Sequence, residues 1–192
     1  MHELILKNIS RYIQLTAGEK DFFLSLLRER KLRRKQYLLQ EGDICQHENF
    51  VVKGCLRTYY IDKKGQEHIV QFAIEDWWIG DMYSFLTQTP SKYNIDALED
   101  AVILSIGKKS MDDLYLKVPK FEKFYRHLLQ NAFIALQERI ASNISETGEA
   151  RYRQFRSKYA KIEERVPLRM IASFLGLTPE SLSRIRRQYT GR

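Results

Sequence analysis

The stretch VPLRMIASFLGLTPESLSRIRRQY, Val166 to Tyr189, decides how this chain is read. Pro167 opens a short helix, Leu168 to Leu175, in which Ile171 and Leu175 face inward. Gly176 then tolerates the positive φ that a tight corner between two helices demands. Thr178 suits the N-cap of a second helix, and Pro179 its first position, where no N–H is required. That second helix buries Leu182, Ile185 and Tyr189, spaced three and four apart. Ala172 is small where two steeply crossed backbones must approach. Together Ala172, Gly176, Leu182 and Ile185 predict a helix-turn-helix. A helical hairpin used only for packing is the plainer alternative.

With 182, 185 and 189 inward, the outward face carries Glu180, Ser181, Ser183, Arg184 and Arg187. Arg184 is suited to donate two hydrogen bonds to guanine O6 and N7, and Glu180 to accept from cytosine N4. Glu180, Ser181, Ser183 and Arg184 are therefore the candidate base readers. Arg169, Thr178, Arg186 and Arg187 are assigned to phosphates, which position a protein without specifying sequence. A glutamate on a purely electrostatic DNA face would only repel, so its presence favours base reading. Charge agrees: Glu146 to Arg192 holds 11 Lys+Arg against 5 Asp+Glu, while the rest of the chain holds 21 against 19. A basic tail on a near-neutral body suits a polyanion partner. The flanking Arg151, Arg153, Arg156 and Lys158 are further candidates for phosphate contact.

Upstream of the tail, the pattern changes twice. Thr16-Ala17-Gly18-Glu19 is a capping-box start for a helix burying Phe22, Phe23, Leu26 and Leu27. A basic run, Arg28 to Lys35, ends it and is read as a solvated strand or helix end. From Tyr37 to Ile106 short strands alternate with glycine turns, including a hairpin at Lys63-Lys64-Gly65-Gln66. Val70, Phe72 and Ile74 alternate with polar neighbours, as do Val102, Leu104 and Ile106. Such strands predict a sandwich or rolled barrel rather than a parallel α/β sheet. After Pro119 an unbroken helical pattern runs to about Ser145, with Phe121, Tyr125, Leu128, Ala132, Leu136 and Ile140 in one stripe. Its length, about 40 Å at ~1.5 Å per residue, exceeds what a small roll covers. These six residues are expected along a seam with a second copy. A break at Thr147-Gly148 precedes a basic helix.

Composition narrows the classes. The 192 residues include eleven Tyr, ten Phe and two Trp, ample surface for a core, so disorder is not expected. No window resembles a transmembrane helix, and Met1 to Ser10 does not read as a secretory signal. Cys45 and Cys55 are too few for a disulfide framework or a zinc site, and a cytoplasmic setting is expected. No nucleophile elbow, phosphate loop or His/Glu metal motif is present, so no enzyme, catalytic residue or metal site is read. Adjacent Trp77 and Trp78 on a strand would face opposite ways, so at most one is expected to line a pocket.

Gln40-Glu41-Gly42-Asp43, Val52-Lys53-Gly54, the hairpin at Gly65 and Ile79-Gly80-Asp81 look like successive markers of a cyclic-nucleotide-binding roll. With the long helix after Pro119 and Thr178-Pro179-Glu180-Ser181-Leu182-Ser183-Arg184, the chain resembles the Crp/Fnr regulators over nearly its whole length. The resemblance implies an α+β fold: a double-stranded β-roll with flanking helices (residues 1–115), a dimerisation helix (116–145) and a helix-turn-helix (146–192). It also implies a homodimer on double-stranded DNA, at a near-palindromic operator, in contact with RNA polymerase and with no membrane role.

Two departures limit what carries over. Cyclic-AMP-binding members use Gly-Glu for the ribose and Arg-Ser for the cyclic phosphate. Here Gly80-Asp81-Met82 is followed by Ser91-Lys92, with no Arg between Gly80 and Ala101. Lys92 lacks the bidentate fork of arginine, so cyclic AMP is not the expected effector, and no cofactor is assigned. A different effector, or none, is expected, and Gly80, Asp81, Met82, Ser91 and Lys92 are the candidate pocket for one. The sequence also ends at Arg192, soon after the second helix, so the β-wing of winged relatives is expected to be absent. An N-terminal Cys cluster for iron–sulfur sensing is missing. His47, His68 and His127 are read as structural or solvated rather than as haem ligands. The competing function is a ligand-binding module whose helical tail contacts protein instead of DNA.

Overall fold

Residues 28–107 build two antiparallel four-stranded sheets, because short β-branched and aromatic runs are cut by turns too tight for helix. The computed structural model describes residues 2–190. One sheet runs β1 (Arg28–Leu32), β8 (Ala101–Gly107), β3 (His47–Lys53), β6 (Trp78–Ile79). The other runs β2 (Tyr37–Leu39), β7 (Asn94–Ala97), β4 (Leu56–Ile61), β5 (Glu67–Ala73). Strands adjacent in sequence mostly lie in opposite sheets, so the chain winds as a double-stranded roll, the form the resemblance implies among those the strand pattern leaves open. Phe50, Ile79, Ile95 and Ile103 are all buried in its core, each contributing roughly 1.5–3 kcal/mol. Gly54, at φ +105, turns β3 into β4; a Cβ there would lie 2.6 Å from the Ala101 Cβ, so only glycine fits.

Two sequence expectations are refined in the sheets. The basic run begins as a strand: Arg28–Leu32 pairs with β8 at a sheet edge and turns Leu32 inward. The regular alternation expected of Val70, Phe72 and Ile74 is broken. Thr58 pairs Gln71 but Tyr59 pairs Ile69, so Val70 is the extra residue of a bulge. As a result Ile69 and Phe72 both join one apolar cluster.

Helices close the roll. α1 (His2–Ser10) inserts Ile5 and Ile9, and α2 (Ala17–Ser25) starts on the predicted capping box. In that box Thr16 Oγ1 accepts from the Glu19 N–H at 3.3 Å, and Glu19 Oε2 from the Thr16 N–H at 2.7 Å. α3 (Met82–Thr87) and α4 (Lys108–Lys117) lead to α5 (Lys120–Ser145), 26 residues long. The first turns of α5 bury Phe121, Phe124 and Tyr125 against Phe23 and Trp78. This corrects the seam assignment for Phe121 and Tyr125, which complete the core of their own roll. Leu128 is half-buried against that same core. Beyond it Leu129, Phe133, Leu136, Ile140 and Ile144 are exposed.

The tail comprises α6 (Gly148–Glu163), α7 (Leu168–Phe174) and α8 (Pro179–Thr190). It shares a second apolar cluster with the outer face of β4 and β5: Tyr59, Ile69 and Phe72 meet Phe155, Ile171 and Leu182. Ser173 Oγ binds the edge of β5, accepting from the Ile69 N–H at 3.0 Å and donating to the Glu67 carbonyl at 3.2 Å. Among the described residues, no helix is long and apolar enough to cross a membrane.

Candidate functional site

The predicted corner forms between α7 and α8. Gly176 sits at φ +64. Its N–H donates to the Ser173 carbonyl at 3.1 Å, and the Leu177 N–H to that of Ala172 at 2.9 Å. This paired C-terminal cap satisfies carbonyls that the helix end would leave bare. Thr178 Oγ1 accepts from the Ser181 N–H at 3.2 Å, and the Thr178 carbonyl starts α8 by accepting from the Leu182 N–H at 3.0 Å. Ala172 and Leu182 have no exposed surface. Ile185 and Tyr189 are half-buried, and the Tyr189 ring meets Tyr152 edge-on at 6.0 Å. Gly148 was read only as a break, yet it too is part of the corner. A Cβ there would lie 3.0 Å from Leu177 and 3.2 Å from Ile185, so α6 seats directly on the turn.

Of the expected base readers, Glu180, Ser183 and Arg184 border one open concave surface with Arg187, Leu168 and Pro179. Ser181 is engaged locally: its hydroxyl bonds Thr178 Oγ1 at 3.1 Å and accepts from Arg184 at 3.2 Å. It thus holds the arginine at the head of the helix. Of the expected phosphate contacts, Thr178 serves as the helix cap, while Arg169, Arg186 and Arg187 are exposed. The α6 cations are more engaged than their sequence suggests. Arg151 donates to the Leu175 carbonyl at 2.6 Å, bracing the corner, and Arg153 to Tyr189 at 3.2 Å. Arg156 pairs with Glu163 and Lys158 with Glu138, both at 3.0 Å.

The expected effector residues divide. Asp81 caps α3, accepting from the Ser84 N–H at 3.2 Å, and its other oxygen accepts from Ser91 Oγ at 2.7 Å. Asp81 and Ser91 are both buried, so the position of the phosphate cassette is closed by its own hydrogen bonds. Lys92 is exposed. Gly80 and Met82 instead face a cleft of about 700 Å³ between the roll, α5 and α6. Trp77 and Trp78 both line it, correcting the expectation of one. Trp77 precedes the two-residue strand, where side-chain alternation does not hold. At the floor lies Glu48, which the sequence reading passed over. It is 3% exposed, and its Oε1 has no hydrogen-bond partner. Burial, and then the charge of Asp81, push its carboxyl up to about 8. Only an acid inside a hydrophobic strand, Glu48 among His47–Lys53, signalled it in the sequence.

The histidines have structural surroundings: His68 bonds Asp62 at 2.9 Å and His127 stacks on Tyr12. Among the described residues, no group of three or more His, Cys, Asp or Glu could hold a metal.

The architecture is a β-roll joined by one long helix to a helix-turn-helix. Residues 29–117 match the family described as the cyclic nucleotide-binding domain. The anaerobic regulatory protein of Haemophilus influenzae is 27% identical over 171 residues, covering 82% of this chain and 65% of its own length. The fumarate and nitrate reduction regulatory protein of Vibrio cholerae is 26% identical, covering 82% and 67%. The chain thus spans about two thirds of the length of these relatives. Among solved structures, a CooA variant from Carboxydothermus hydrogenoformans superposes with a TM-score of 0.72 at 18% identity, covering 93% of this chain and 81% of that one. The c-di-GMP-responsive regulator CLP of Xanthomonas campestris gives 0.70 at 14%, covering 92% of each. The chain is thus similar in sequence to regulators of the Crp/Fnr type, and its fold is that of the solved structures. Both curated relatives are regulators by name, in agreement with the reading that this chain is not an enzyme.

Proposed function

We propose that this chain is a sequence-specific DNA-binding transcription regulator, acting as a homodimer on a near-palindromic operator and contacting RNA polymerase. Residues 1–115 serve as sensor, 116–145 as dimerisation helix and 146–192 as reader. The observation that carries the reading is the outer face of α8. Glu180, Ser183, Arg184 and Arg187 share one open surface, while Leu182 anchors the helix from beneath. A helix so mounted presents its N-terminal half to the major groove, with Arg184 reading guanine and Glu180 cytosine. The unpartnered stripe on α5 supports pairing of two copies, which would set two such helices about one DNA turn apart. Effector control, on this reading, acts through the roll–α5 cleft and not through cyclic AMP, because Asp81 and Ser91 bind each other.

Selection of bound DNA from a random pool tests this. A two-fold-symmetric site is expected, with affinity falling steeply as salt rises. Arg184→Ala is expected to cost about 1–3 kcal/mol on that site and much less on scrambled DNA. Equal losses on both, or no enriched sequence, would overturn the reading in favour of a tail that contacts protein.

A further inference from the structure

The cleft between the roll, α5 and α6 is built mostly of apolar and aromatic walls, among them Trp78, Phe155 and Leu136. Its polar lining is nearly self-sufficient. Asn8 donates to Asp76 and accepts from Trp78, Arg11 pairs with Asp76, and Gln71 donates to the Trp78 carbonyl. Arg139 donates to the carbonyl of the bulged Val70, and Lys158 pairs with Glu138. Two lining side chains are exceptions: Arg151, which reaches the Leu175 carbonyl but whose Nε is buried without an acceptor, and Glu48. The Glu48 Oε1 is buried without a donor, under a glycine: a Cβ on Gly80 would lie 2.7 Å from that oxygen. Any side chain at position 80 would therefore crowd the acid.

We propose that this cleft binds a small organic cation, an apolar planar body ending in an amine or amidine whose N–H groups bond Glu48. A cleft of about 700 Å³ suits such a molecule, since small-molecule sites are typically roughly 300–1,000 Å³ with few convergent polar groups. The groups facing Glu48 are Asp81 at the head of α3, Cys45 before β3, Tyr115 on α4 and Tyr125 on α5. None of these four is a cation, and Asp81 would repel an anionic ligand; the cations that line the cleft, Arg11, Arg139, Arg151 and Lys158, bond Asp76, the Val70 and Leu175 carbonyls and Glu138. The Tyr125 hydroxyl is itself buried without a partner. At pH 7 Glu48 is protonated; an incoming ammonium holds it ionised, and its proton passes to the buffer. Binding itself requires nothing of DNA; only its regulatory consequence, through the α5 wall, rests on the function proposed above.

Calorimetry with tryptamine and with indole-3-propionate on the full chain tests the proposal. Tryptamine is expected to bind saturably, one per chain, releasing about one proton, read from heats in buffers of different ionisation enthalpy. The propionate is expected not to bind. Glu48→Gln is expected to weaken tryptamine about tenfold or more and abolish proton release. Glu48→Leu is expected to do the same, and thermal melting checks that both variants fold. Equal binding of the two indoles, unchanged binding by Glu48→Gln, or no binding to the wild-type chain would overturn the site. None of these outcomes bears on DNA selection, so the two readings fail separately.

Discussion

Glu48 opposes the fold it belongs to. In the unfolded chain its carboxyl ionises near 4.5, but in the folded roll not until about 8. A raised acid pKa means that the unfolded state loses its proton first, so stability falls as pH rises from about 4.5 to about 8. The cost at the upper end is on the order of a few kcal/mol. Glu48→Gln is expected to flatten that decline, and urea denaturation at a series of pH values checks it; an unchanged slope would place the titration elsewhere. Gly176 makes the opposite kind of demand. At φ +64 any Cβ is strained, and here it would also lie 3.3 Å from the Arg151 guanidinium that braces Leu175. Gly176→Ala is expected to lower stability by about 1–2 kcal/mol, measured by thermal melting. Gly176 was legible in sequence because its neighbours, Ala172 and Thr178, define the corner with it. Glu48 was not, because the residues that bury it come from elsewhere in the chain.

α5 shows how an element divides between two tasks. Its stripe of Phe121, Tyr125, Leu128, Ala132, Leu136 and Ile140 reads as one continuous face, yet the first three meet the roll core. The face left bare is Leu129, Phe133, Leu136, Ile140 and Ile144, stepping four, three, four and four residues. From Leu129 to Ile140 that spacing is the alternating a/d pattern of a helix pair, and Ile144 follows one turn on. Phe133→Glu is expected to convert a dimer into a monomer, checked by sedimentation equilibrium. A mass that stays dimeric would mean that the seam lies on another surface. Periodicity revealed that α5 is amphipathic and long. It was silent on which turns are covered from within, because the same apolar spacing serves a core and an interface.

Across the whole molecule, the tail is fastened to the roll by polar contacts as well as apolar ones. Arg165, between α6 and α7, pairs with Glu75 at 2.7 Å and with Glu99, and Glu75 also accepts from the Gly54 N–H at 2.8 Å. Arg57 on β4 is clamped by Asp96 and Glu67 beneath Met170 of α7. Arg165 is partly exposed, so its loss is expected to cost only about 1 kcal/mol, concentrated at the docking surface. Arg165→Ala should speed amide exchange in α7 and α8 while leaving the roll strands protected; uniform speeding would mean a general destabilisation instead. The residue pattern alone settled a body of short glycine-punctuated strands, the long helix, the capping box at Thr16 and the glycine corner at Gly176. Those features depend on neighbours a few positions apart, and local sterics and hydrogen bonds express them directly. Folding in three dimensions decided which half of α5 is covered, how Arg139 reaches the bulged carbonyl of Val70, and why Glu48 lacks a partner. Each of these joins residues separated by tens of positions, and side-chain period carries no information about what packs across such a distance.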